Sequence, residues 1–225
     1  HARRCGGDYG VAVITNGDAP PRPPAESRLQ RLRRSPATAT LLVALVAIFF
    51  LSAADPELVQ RFAKVDSRIR AGEWWRLLTA SFLHGGLLHL GVNGLALSAI
   101  GPTVEQLYGR VRFALIFLLG GAAGFAASTV FVIQPSLGAS AGLFALLGVL
   151  LGYAVRERRR LAPASRRAMI QEILMVAGLN LALGLMVPFV DNAAHVGGFG
   201  GGLALGMVLR PIRRHSLNAL AHEAS

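Results

Sequence analysis

Four polar side chains have the types and spacing for acyl-transfer chemistry. Ser140 stands in GASAG, His195 in DNAAHVGGFGGGLALG, and His89 and Asn93 share HLGVN. A serine hydroxyl is a poor nucleophile unless a base lies within hydrogen-bond reach. An imidazole such as His195 can take that proton and return it to a leaving amine. His89 and Asn93 are four residues apart, on one face of a helix. Their side chains, with the backbone N–H of Ser140, are candidate donors to the oxyanion that forms on attack. Water would be the second nucleophile. The carboxylate nearest His195 in sequence is Asp191. It, or Asn192, reads as the cap of the helix that follows, which leaves a Ser–His dyad rather than a triad. Each residue taken alone has a plainer reading, the serine as a cap and the histidine as packing. The combination carries the argument.

These residues lie in an unusually apolar chain. Its 225 residues are 53% hydrophobic and 16% charged, with mean hydropathy +0.49. Soluble domains carry about 25% charged residues, and disorder requires low hydrophobicity. A single cysteine, Cys5, excludes a disulfide scaffold. What remains is an all-α integral membrane protein. Six spans are expected, at 37–54, 85–100, 113–133, 140–155, 170–190 and 193–209. Continuous apolar runs of this length are too long for barrel strands, which alternate over about 9–11 residues.

The net charge of +11 would suggest nucleic acid in a soluble chain. Here it reads as topology. Of the 23 basic residues, 18 fall on one side of the spans, in the N-terminal tail, 101–112, 156–169 and the C-terminal tail. The other side holds Arg61, Lys64, Arg68, Arg70 and Arg76. The positive-inside rule then puts both termini in the cytoplasm and the loop 55–83 outside. The run RERRR at 156–160 sets topology and can also touch anionic headgroups. No nucleic-acid partner is expected; the partner is the lipid bilayer.

Residues 1–36, with PPRPP at 20–24, read as a disordered cytoplasmic tail. Residues 37–211 read as the membrane domain and 212–225 as a short cytoplasmic tail. The first residue is His1, the pattern of a fragment. The first apolar run follows 36 residues of tail, which argues against a cleaved signal peptide.

Span length places the polar residues. The second, fourth and sixth spans are short, and each runs from outside to inside. Sixteen residues at 140–155 reach about 24 Å at 1.5 Å per residue, against about 30 Å of hydrocarbon. With arginines at the cytoplasmic end, Ser140 should lie below the outer surface. Residues 134–139 must then dip into the membrane, which is tolerated only inside protein or beside water. His195 and the His89–Asn93 face should reach a similar depth. Gly198, Gly202 and Gly206 recur every four residues, and Gly138, Gly142 and Gly148 line the fourth span. Small faces let helix backbones approach closely, which would bring Ser140 to His195.

From about residue 70 to 210 the chain resembles the rhomboid intramembrane serine proteases. EWWRLLTASFLHGGLLHLGVN is similar to the family's Trp-Arg loop and HxxxN motif. GPTVEQLYG resembles its turn after the second helix, GASA its GxSG serine motif, and VDNAAHVGG its histidine helix. The resemblance implies a six-helix rhomboid-like core, Ser140 as nucleophile, His195 as base, and His89 and Asn93 as oxyanion stabilisers. It implies a membrane-embedded first loop carrying Trp75 and Arg76. Glu105, Gly138, Gly198 and Gly202 are implied as structural motif residues. Substrates would be single-span membrane proteins cut near the outer end of their transmembrane helix. No metal or cofactor is implied. One departure stands out: Ala141 follows the serine where the family usually has glycine, and its methyl is expected to crowd the fourth–sixth helix contact.

Other intramembrane hydrolases lack support. There is no HExxH for zinc, the Gly-Asp pairs at Gly7–Asp8 and Gly17–Asp18 lie in the tail, and so does Cys5. The alternative is an inactive rhomboid-like protein that binds membrane clients, but such relatives lack the serine or the histidine. A transporter would show an inverted repeat with paired broken helices, and none is visible. A bacterial plasma membrane is the expected location.

Overall fold

The computed structural model describes residues 27–187 and 189–212. Residues 1–26, with PPRPP, and residues 213–225 lie outside the described residues. The described part of the tail is not irregular. Arg28–Arg33 is a short helix, α1, opened by a capping box in which Ser27 and Gln30 serve each other's backbone N–H groups.

Among the described residues six long helices accompany four short ones: α2 (Pro36–Ala54), α6 (Leu87–Tyr108), α7 (Arg110–Phe131), α8 (Ser140–Arg156), α9 (Pro163–Met186) and α10 (Asn192–Val208). The loop after α2 holds α3 (Glu57–Phe62), α4 (Asp66–Arg70), α5 (Arg76–Thr79) and a 3₁₀ turn, Ala80–Phe82. The described residues contain no strand, only one antiparallel bridge between Lys64 and Ser136. Helices α2, α6, α7 and α9 are long and apolar enough to cross a membrane, and α8 is a shorter apolar helix. Their outer faces are large and apolar, as at Val43, Leu119 and Leu185, which only lipid can cover at low cost. This is an integral membrane protein.

The second span is not short. Helix α6 runs 22 residues, through Pro102 and Glu105, so all of GPTVEQLYG but its last glycine is helix and not turn. Glu105 explains how a carboxylate stays inside. It accepts from Ala37 N–H (3.0 Å), Thr38 N–H (2.7 Å) and Thr38 Oγ1 (2.8 Å). Helix α2 begins at Pro36, which has no N–H, so Glu105 supplies the cap from another helix and meets the positive end of the α2 dipole. The real turn is Gly109 alone, at φ +80°, a left-handed conformation that glycine adopts without strain.

Helix α8 is the centre of the bundle and is apolar on every side, buried from Ala141 to Leu150 without interruption. Helices α7 and α10 lie against it almost backbone to backbone. A methyl carbon added to Gly198, Gly202 or Gly206 would lie 2.2, 2.0 or 2.5 Å from the carbonyl oxygens of Ala141, Ala145 and Val149. Gly148 answers from α8, its added carbon 2.1 Å from Phe199 O. The cytoplasmic ends are tied by Arg156, whose Nη1 donates to Val208 O (2.9 Å) and Leu209 O (2.8 Å) at the open end of α10. The run read as topological therefore also caps a helix.

Gly202→Ala should separate α8 from α10 and cost about 1–3 kcal/mol, whereas Gly200→Ala, with open space at that position, should be neutral. Thermal unfolding in detergent micelles checks the pair. Glu105→Ala orphans three buried donors and should cost roughly 3 kcal/mol, read as a lower Tm in the same assay.

Candidate active site

Ser140 is the first residue of α8 and His195 the fourth of α10. With the two helices locked in register, Ser140 Oγ lies 2.8 Å from His195 Nε2. His195 is buried, and its ring stacks on Phe144 at 4.3 Å between centroids and 7° between planes. Phe144 lies one turn below Ser140, and the i, i+4 spacing puts both on one face of α8, a signal the sequence reading did not use. Nδ1 of His195 has no hydrogen-bond partner among the described residues.

Asp191 does not fill that place. Its carboxylate accepts from Ala194 N–H at 2.9 Å, capping α10, and from the Ser128 hydroxyl of α7. The cap reading holds for Asp191. Asn192 instead donates from Nδ2 to Leu181 O of α9 (3.1 Å). Ser128, from α7, was not visible as part of this arrangement in the sequence.

Gly138 holds the approach to Ser140. Its φ of +131° favours glycine, and it donates to Ala80 O at 2.9 Å. A methyl carbon on it would lie 2.7–2.8 Å from the His89 ring and 3.8 Å from Ser140 Oγ. His89 and Ser140 thus flank one glycine. The backbone N–H groups of Ser140, Ala141 and Gly142 donate to no partner among the described residues, so the positive end of α8 is open where the serine stands. Asn93 is buried, but its Nδ2 donates to His89 O of its own helix at 2.9 Å. The structure brings Ser140, His195 and His89 together and leaves Asn93 bonded to the α6 backbone.

The sequence reading gave His84 no role. It is buried, edge-on to His89 at 5.0 Å between centroids. Burial, then the neighbouring His89, lowers its pKa to about 4, so it is neutral at pH 7.

The first loop is braced by Arg76. Its guanidinium pairs with Glu73 at 2.6 Å and donates to Gln60 O and Ala63 O, both at 2.8 Å. Trp75 beside it is half exposed, as is Trp74.

Ala141 does not crowd the contact expected of it. Its main chain faces Gly198 of α10, while its methyl faces Gly124 of α7, whose added carbon would lie 3.0 Å away. A glycine across the way makes the room.

The rhomboid domain model matches residues 71–212. The chain belongs to the rhomboid family. It is 42% identical over 169 residues to rhomboid protease GluP of Bacillus subtilis, covering 72% of this chain and 32% of that protein. It is 43% identical over 136 residues to RHOMBOID-like protein 2 and 40% over 141 to RHOMBOID-like protein 7, both of Arabidopsis thaliana. Each match covers 60% of this chain and 42% of the relative. This rhomboid therefore spans less than half the length of these curated relatives.

Ala141→Gly should lose about 1 kcal/mol from helix propensity and gain nothing in rate. Calorimetric unfolding beside a serine-reactive fluorophosphonate labelling rate tests both halves.

Proposed function

We propose that this rhomboid is an intramembrane serine endopeptidase that cuts single-span membrane proteins near the outer end of their transmembrane helix. The observation that carries the reading is the 2.8 Å approach of Ser140 Oγ to His195 Nε2. The matching chain named a rhomboid protease supports it.

In this reading, His195 in its Nδ1–H tautomer accepts the hydroxyl proton at Nε2 as Ser140 Oγ attacks the scissile carbonyl. The oxyanion is met by the backbone N–H of Ser140 and by the His89 ring. Asn93 joins only if it turns from His89 O. His195 then gives the proton to the leaving amine, and water repeats the sequence to free the acyl group. Asp191 and Ser128 hold the helix that carries the base. A helical peptide bond is shielded by its own hydrogen bonds, so substrates must unwind locally. Weak helix formers near the cut favour this.

The six long helices are read as six spans, with both termini cytoplasmic and the Ser140 end outside. The charge asymmetry supports that orientation. Exposed Trp74, Trp75 and Leu78 on one stretch of the first loop suit a segment dipping into lipid. The plasma membrane of a bacterium is the proposed location.

The purified chain should cleave a model single-span substrate. Ser140→Ala and His195→Ala should each lower the rate by at least about 10³-fold. Cleavage that survives either change refutes the dyad. A chain that binds the substrate but never cuts it favours the client-binding alternative.

A further inference from the structure

Arginine supplies every basic side chain here but one. The single lysine, Lys64, has a side chain with no solvent exposure. A buried ammonium is expensive unless its hydrogens are matched. This one faces three oxygens: Asp66 Oδ1 at 2.7 Å, Val132 O at 2.8 Å and Gln134 O at 3.5 Å. An ammonium has three compact donors, whereas a guanidinium is a broad planar fork. The site suits the smaller head.

Two of those oxygens belong to the segment that runs from the end of α7 to Ser140. The backbone adds to the grip: Lys64 N–H donates to Ser136 O (3.0 Å) and Ser136 N–H to Lys64 O (3.1 Å). Lys64 is itself held from behind, since Arg76 donates to the carbonyl of Ala63. Two residues past Ser136 comes Gly138, which packs on His89, and two past that comes Ser140.

We propose that Lys64 is a positioning residue: its buried ammonium clamps 132–136 to the first loop and so sets the path that delivers Gly138 and Ser140 to His89 and His195. Only the kinetic part of this rests on the protease reading above.

The test uses the full chain in liposomes. Lys64→Met keeps the stem and removes the charge. Hydrogen exchange should quicken at amides 132–139 while the interiors of α7 and α8 stay protected. Cleavage of a model single-span substrate should lose kcat by about 10²-fold with KM little changed. A merely structural lysine would instead quicken exchange throughout the bundle. Asp66→Asn, which leaves both carbonyl contacts, should change the same amides in the same direction by less, and serves if the methionine variant fails to fold. On the unmodified chain, acetylation by a water-soluble succinimidyl ester should spare Lys64 relative to a free lysine. Unchanged exchange at 132–139 in both variants overturns the clamp, as does acetylation of Lys64 at the free-lysine rate. If the unmodified chain cuts nothing, the protease reading fails and the exchange result still decides the clamp.

Discussion

The approach of α8 to α10 governs the rest. In lipid, no hydrophobic force drives one apolar helix onto another, so packing must come from close contact. Gly198, Gly202 and Gly206 remove the side chains that would hold the backbones apart. With Gly148 answering from α8, the two helices are fixed along their length as well as in distance. Ser140 and His195 inherit their separation from this register.

Other interactions make the register usable. Arg156 closes the cytoplasmic end of the pair, and Asp191 caps the other end while bonded to Ser128 of α7. Glu105 fastens α2 to α6. Phe144 lies flat against the His195 ring and limits its rotation. In each case a charge or ring inside the bundle meets a helix end or another ring, not lipid. A low-dielectric surrounding makes these contacts stronger and their loss costlier. The same logic explains why Ala141 is tolerated. The methyl needed space on α7, and Gly124 leaves it.

Much of the fold was legible. Apolar runs located all six long helices, and span length correctly set α8 and α10 apart as short, at 17 residues each. It failed for α6. Glu105 and Pro102 looked like a turn because sequence reading scores a charge and a proline as breakers. The partner that hydrogen-bonds Glu105 lies 67 residues away at Thr38, beyond any local signal. The start of α9 was missed for the same reason, since Arg166 and Arg167 belong to helix beyond the apolar stretch.

Composition and spacing by themselves determined the membrane class, the helices, the small faces and the candidate pair of Ser140 and His195. These are consequences of local chemistry: hydrocarbon length, glycine periodicity, and the few polar residues an apolar chain retains. Tertiary structure alone decided the contacts between distant segments. It turned Asn93 onto its own helix, gave Asp191 to Ala194 and Ser128, aimed the Ala141 methyl at Gly124, and buried Lys64 under the segment leading to Ser140. A side chain's direction depends on what packs against it, and the sequence names the residues without saying which of them meet.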